Sequence, residues 1–256
     1  MVASQANRPA QMPSSSVDPS EIAHFAKDSA RWWDASGPFA PLHRLNPVRL
    51  GWVRDQAIQH FGRDSKSMTS LAGLTVMDVG CGGGLVAEPL ARMGATTLGL
   101  DADAVAIEAA TAHAAGHDLN LTYRVGSVEA EPADTYDLVT ALEVVEHTTD
   151  PTAFVIACAR TVRPGGLLLL STLNRTAKSF ALGIVAAERV LRWVPAGTHD
   201  WKKFVKPAEL ARACRAAGLD VVDTTGLVFD PLAGAFKRSA TDLSVNYFLA
   251  ATKPTA

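Results

Sequence analysis

The sequence predicts an α/β fold: a mostly parallel, seven-stranded sheet with helices on both faces, N-terminal helices and an inserted helical lid. Two observations carry this. From Leu71 onward, short apolar runs alternate with helix-forming stretches, the pattern of strand–helix–strand crossovers. Glycines also stand where those helices should stop, at Gly94, Gly116, Gly165-Gly166 and Gly218, since a left-handed residue ends a helix most cheaply when it is glycine. The expected strands are Thr75–Val79, Thr96–Leu100, Leu121–Val125, Tyr136–Leu142, Leu167–Leu173, Val221–Leu227 and Asn246–Thr252. Between them the expected helices are Leu85–Met93, Ala104–Ala115, Pro151–Val162 and Lys206–Ala217. No helix separates the last two strands, so the final one is expected to pair antiparallel with its predecessor.

Length and composition set the bounds. With 256 residues, 48% of them hydrophobic, the chain has enough apolar material for one sizeable core. The organisation expected is a disordered tail over residues 1–17, then a single domain over 18–256, with a helical cap at 18–70 and a helical insertion at 177–205. Net charge is −2, which carries no basic signature for nucleic acid. Cys81, Cys158 and Cys214 are too far apart for a zinc motif and are expected to be reduced, as in a cytoplasmic protein. No run of 18 uncharged apolar residues and no signal-peptide core are present, so neither a spanning helix nor secretion is expected.

Asp18-Pro19-Ser20-Glu21 is a helix start, with a capping side chain and proline in the first turn. That helix is expected to run to Trp32, and Trp33, Asp34 and Gly37-Pro38 end it. Adjacent tryptophans do not share one helix face, so Trp32 and Trp33 have different surroundings, packing or a substrate contact. A loop then leads to a second helix over Val48–His60. Near that junction Arg44 and Arg49 stand out: Arg49 is read as an exposed surface arginine or as a fork for a carboxylate, and His43 as a surface or packing residue.

The chemistry centres on Asp78-Val-Gly80-Cys-Gly82-Gly-Gly84, a glycine turn between a buried strand and a helix. Bare backbone there lets N–H groups approach a ligand, and the helix N-terminus adds positive potential. The glycines are packed more tightly than a dinucleotide fingerprint requires, which disfavours a nicotinamide oxidoreductase. Asp78 would repel a pyrophosphate but suits a ligand ammonium, such as the amino-acid end of S-adenosylmethionine. Asp101, about 20 residues after the loop at the next strand end, is placed to take ribose hydroxyls. Ser127 and Leu142 end two further strands, near the adenine and beside the adenine or methionine chain. The expected cofactor residues are thus Asp78, Gly80, Gly82, Asp101, Ser127 and Leu142, all at the carboxyl edge of one sheet.

Glu143-Val-Val-Glu146-His147 forms a second constellation. On a helical turn, positions i, i+3 and i+4 share a face, so Glu143, Glu146 and His147 are candidate ligands for one divalent cation. Mg²⁺ suits an oxygen-dominated set, with Zn²⁺ and Mn²⁺ as alternatives. Such a cation would stabilise a phenolate nucleophile. Alternatively Glu146 or His147 acts as a general base, and in the plainest reading Glu143 simply pairs with His147. After the fifth strand, Ala177–Val194 is expected to be a helix with Phe180, Ile184, Ala187, Leu191 and Val194 on one stripe. It is read as a lid, as a surface helix on anionic lipid, with Lys178, Arg189, Arg192, Lys202 and Lys203 flanking it, or as an ordinary core helix.

Taken together, these pieces resemble the ubiquinone biosynthesis O-methyltransferases, the bifunctional enzymes that methylate a polyprenylated 6-hydroxyphenol and 3-demethylubiquinol. The resemblance runs from about Ile22 to Tyr247. It rests most specifically on Ser29-Ala-Arg-Trp-Trp-Asp34 and Pro41-Leu-His-Arg-Leu-Asn-Pro47, with the glycine loop, Glu143–His147, Ser171–Arg175, Gly197–Asp200 and Lys203–Pro207 in support. It implies a class I, Rossmann-like methyltransferase fold. It also implies that Arg49, Gly80, Asp101 and Leu142 contact S-adenosylmethionine. The Glu-x-x-Glu-His segment would bind metal, and the inserted helix would bind a membrane on the inner face of the cell membrane. Other quinone-biosynthesis enzymes are possible partners on the same grounds. Leu142 and Val144 depart from methionines common in the family and keep an apolar wall. Competing readings are an enzyme of this fold acting on another small phenol or carboxylic acid, and a non-catalytic membrane adaptor.

Overall fold

The computed structural model describes residues 15–182 and 200–255. Its sheet has strands β1 (Thr75–Val79), β2 (Thr96–Asp101), β3 (Leu121–Val125), β4 (Tyr136–Leu142), β5 (Val162–Leu173), β6 (Asp220–Asp230), β7 (Ala235–Ser239) and β8 (Asn246–Thr252). Their order is β3-β2-β1-β4-β5-β8-β6-β7. The helices are α1 (Pro19–Phe25), α2 (Ala40–Phe61), α3 (Ala87–Arg92), α4 (Ala104–Ala114), α5 (Pro151–Thr161), α6 (Ala177–Ser179) and α7 (Pro207–Ala216).

The central strands are buried on both faces, which explains their unbroken apolar runs. Along β5, Leu168 and Leu170 join one apolar cluster with Met77, Val139, Phe154 of α5 and Leu210 of α7. Leu167 and Leu169 join the other, with Val76, Leu138, Leu90 of α3 and Trp52 and Val53 of α2. The strand period of two thus splits one leucine run between two cores. Because order reverses between β1 and β4, a crevice opens beyond their carboxyl ends.

Several expectations are corrected. Among the described residues the sheet has eight strands, not seven: β6 continues to Asp230 and turns through Pro231–Gly234 into β7, with Phe229 opposite Phe236. β8 inserts between β5 and β6 and is antiparallel to both, so the expected pairing with its predecessor is present and a second one accompanies it. α2 starts eight residues earlier than expected and contains Pro47. Its extra turns are held by tertiary contacts, including Asn46 Nδ2 donating to Leu85 O at 2.7 Å. The first helix ends at Phe25, and a 3-10 turn at Ser29–Arg31 follows. Of the expected disordered tail, Ser16 and Val17 are tied to the domain: Ser16 N–H donates to Glu129 Oε1 at 2.9 Å, and Val17 bridges Thr148. The expected insertion helix is described only through Leu182, so Ile184, Ala187, Leu191 and Val194 lie outside the described residues.

Candidate active site

A cavity of about 770 Å³ occupies the crevice at the carboxyl edge of the sheet. Its walls include Arg49, Asp78, Gly80, Gly82, Asp101, Ser127, Leu142, Glu143, Glu146 and His147. The structure therefore brings every sequence-predicted site residue to one cavity.

The glycine loop shows why its residues are glycine. Gly80, Gly82 and Gly84 have φ of 68°, 51° and 88°. A Cβ on Gly80 would collide with Val144, and one on Gly82 with the Trp32 ring. Both tryptophans serve this loop. Trp32 packs over Gly82 and Gly83 and stacks on Phe39 at 3.8 Å. Trp33 donates from Nε1 to Gly83 O at 2.9 Å. Gly80 and Cys81 N–H groups donate to Leu100 O, at 2.8 and 3.1 Å, and Gly82 N–H donates to Asp101 Oδ2 at 2.8 Å. The second acid thus also braces the loop, and its other oxygen accepts from Asp103 N–H at 2.8 Å.

Asp78 is buried and accepts from Thr140 Oγ1 at 2.6 Å through Oδ1, while Oδ2 has no protein partner. Burial pushes its carboxyl up to about 7, against the Thr140 hydrogen bond and the nearby Arg49 charge. Arg49 is 3% exposed. It donates from Nη2 to Asn46 Oδ1 at 3.1 Å, and its Nε is unpartnered. Burial lowers its basicity, opposed by the charges of Glu143 and Asp78. A buried carboxylate oxygen and a buried guanidinium N–H, both unsatisfied beside a glycine cradle, fit the ammonium and carboxylate of an amino-acid moiety. The residues present therefore suit S-adenosylmethionine.

The expected metal set does not assemble. The 3-10 turn covers only Val145–His147, and Glu143 precedes it at φ 59°, so the three side chains do not lie on one helical face. Each has its own partners. Glu143 accepts from Ser171 Oγ at 2.6 Å and Asn246 Nδ2 at 3.0 Å. Glu146 accepts from Thr172 Oγ1 at 2.8 Å. His147 Nδ1 lies 3.0 Å from Glu21 Oε2, which replaces the simple Glu143–His147 pair. Among the described residues no group of three His, Cys, Asp or Glu side chains is arranged to hold a metal ion. Glu146 is 3% exposed, and its Oε1 has no partner. Burial, then the Glu143 charge, pushes its carboxyl up.

Sequence reasoning missed the residues that hold these groups. Thr140, Ser171 and Thr172 are hydroxyls inside otherwise apolar strands, the one signal that marked them. Glu21 also accepts from Lys203 Nζ at 2.7 Å, and nothing local links those two positions. His43 is partly buried, and its Nε2 lies 2.8 Å from Trp32 O.

A family profile described as a methyltransferase domain matches residues 51–224. A ubiquinone biosynthesis O-methyltransferase of Methylobacterium nodulans is 51% identical over 243 residues, covering 94% of this chain and 97% of its own. The protein of the same description from Sinorhizobium fredii is 49% identical over 240 residues, covering 93% and 96%. The chain belongs to the ubiquinone biosynthesis O-methyltransferase family. Magnesium protoporphyrin IX methyltransferase of Synechocystis PCC 6803, solved with bound SAH, shares the fold. Its TM-score is 0.62 at 20% identity, over 91% of this chain and 97% of that one. The class I methyltransferase fold expected for this family is therefore the fold observed.

Proposed function

We propose that this methyltransferase moves the methyl group of S-adenosylmethionine to a ring hydroxyl of a prenylated phenol or quinol. The observation that carries the cofactor assignment is the pair of unsatisfied buried groups, Asp78 Oδ2 and Arg49 Nε, at the sheet's switch point. The acceptor class is supported by family membership. Asp78 and Arg49 hold the amino-acid end, Gly80 and Gly82 let the chain approach it, and Asp101, Ser127 and Leu142 border the nucleoside. When bound, S-adenosylmethionine supplies a methyl group activated by a positive sulfur.

The protein's own work is alignment, exclusion of water and removal of the hydroxyl proton. Glu146 is the proton acceptor: its raised affinity for protons suits a phenol that ionises near pH 10 in water. His147 lies one residue on, fixed by Glu21 at the cavity wall. The C–O bond forms as the C–S bond breaks, and the proton passes from the hydroxyl to Glu146.

A peripheral site on the inner face of the cell membrane belongs to the same proposal. Phe180 and Leu182, at the start of the insertion, are 47% and 48% exposed. Among the described residues no helix is long and apolar enough to cross a membrane. The deciding experiment is methyl transfer from labelled S-adenosylmethionine to a short-chain demethylubiquinol. Transfer to a simple catechol but never to the prenylated ring would move the assignment to another phenol. For the base, Glu146→Gln is expected to lower kcat by about 10²-fold or more with cofactor affinity retained. An unchanged kcat would remove Glu146 from the chemistry.

A further inference from the structure

The cavity extends well beyond the cofactor crevice, to the hairpin of β6 and β7 that the sequence did not announce. At about 770 Å³ it lies in the upper part of the range of roughly 300–1,000 Å³ found for small-molecule sites. Its lining also includes Leu42 and Leu45 of α2 with Leu227, Val228, Phe229 and Phe236 of the hairpin. Leu45 and Leu227 belong to one buried apolar cluster, with Leu42 and Phe236 packed against it. Phe229 and Phe236 face each other across the hairpin, with ring centroids 5.2 Å apart, and both are only half-buried. The turn beyond them carries Leu232, 99% exposed.

Where this apolar arm meets the crevice stands Asn246, at the start of β8. It is 8% exposed and donates from Nδ2 to Glu143 Oε2 at 3.0 Å, and its Oδ1 is unpartnered. A buried amide oxygen without a donor marks a place for a ligand hydroxyl. The cavity thus has a polar floor near Glu143, Glu146 and Asn246 and an aliphatic–aromatic arm leading away.

We infer that the hairpin of β6 and β7, with the start of α2, forms the channel for the acceptor's linear isoprenoid tail, and that Asn246 reads a hydroxyl of the ring at its inner end. This rests on the proposed function and adds the route by which ring and tail are told apart. The occupant follows from continuity: the arm opens into the same cavity as the catalytic groups, so what fills it is joined to what reacts.

Two measurements test this. A linear prenyl alcohol without a ring is titrated into the wild-type protein and into Phe229→Ser/Phe236→Ser, with binding read by tryptophan fluorescence. In parallel, kcat/KM is measured for a prenylated and a tail-less acceptor. The wild type is expected to bind the alcohol in competition with the prenylated acceptor and not with S-adenosylhomocysteine. In the double variant, alcohol binding and the prenylated-to-tail-less kcat/KM ratio are each expected to fall at least tenfold. S-adenosylhomocysteine affinity should hold, which reports an intact fold. Should that variant fail to bind S-adenosylhomocysteine, Val228→Trp, which fills the arm instead of emptying it, is expected to give the same selective loss. Equal alcohol binding by wild type and variant, or an unchanged ratio, overturns the channel. Absence of methyl transfer to any ring acceptor overturns the proposed function, and alcohol binding then still decides the arm.

Discussion

At the scale of single residues, the site is built from groups kept unsatisfied at a cost. Asp78 is buried with one oxygen unpartnered, and burial holds its carboxyl at about 7. A folded pKa above the unfolded value means the folded state binds more protons between about pH 4 and 7, so this residue's contribution to stability without cofactor falls as pH rises through that window. An ammonium ligand needs the ionised form. Affinity for S-adenosylhomocysteine is therefore expected to rise with pH, by at most about tenfold per unit, and to level off above 7. Calorimetry in two buffers would show the matching proton release. Asp78→Asn should flatten this profile and weaken binding by roughly 1.5–3 kcal/mol, the range for hydrogen bonds to charged groups. Gly82 makes the same point through backbone. Gly82→Ala is expected to cost about 1–2 kcal/mol from its left-handed φ alone and to displace Trp32, read as a lower melting temperature and weaker cofactor binding.

Elements are positioned by their ends. Asp150 Oδ1 accepts from Thr152 and Ala153 N–H at 2.9 and 3.0 Å, with Pro151 in the first turn. This fixes where α5 begins after the Glu143–His147 segment. Asp150→Ala is expected to destabilise the fold by about 1 kcal/mol in chemical denaturation, with little change in cofactor affinity. α2 shows the opposite case. Pro47 would mark a helix start on local grounds, yet it lies inside α2, because burial of Leu45 and Arg49 and the Asn46–Leu85 bond hold the turns before it. That placement brings Arg49 to the cavity from a helix the sequence had begun one residue before it.

Across the whole molecule, the N-terminal segment is fastened over the site by charge. Glu21 pairs with His147 and Lys203, and Lys203 also reaches Asp18 at 3.2 Å. The hydrogen bond with His147 first, and that with Lys203 after burial's opposing effect, hold the Glu21 carboxyl down near 2. A depressed carboxylate pKa stabilises the fold above the unfolded value near 4.5 and loses that contribution as pH falls through about 2. The cap is thus expected to loosen in acid before the sheet does. Hydrogen exchange in α1 should rise between pH 4.5 and 2, and Glu21→Gln should bring that rise to neutral pH. Unchanged exchange in the variant would place the fastening elsewhere, for instance in the ring contact of Phe25 with His147 at 5.1 Å.

The sequence by itself determined the alternation of strands and helices, the glycine loop and the carboxyl-edge residues Asp78, Asp101, Ser127 and Leu142. These are local signals: apolar period, turn chemistry and strand ends lie within a few residues of one another. Tertiary structure alone decided the rest. Glu143, Glu146 and His147 look like one ligand set by spacing, but a left-handed residue and hydroxyls from β5 send them to separate partners. The Asn246–Glu143 contact and the Glu21–Lys203 pair each join positions far apart in the chain. Spacing fixes which side chains share a local face. Only packing across the sheet fixes which distant donor meets a given carboxylate.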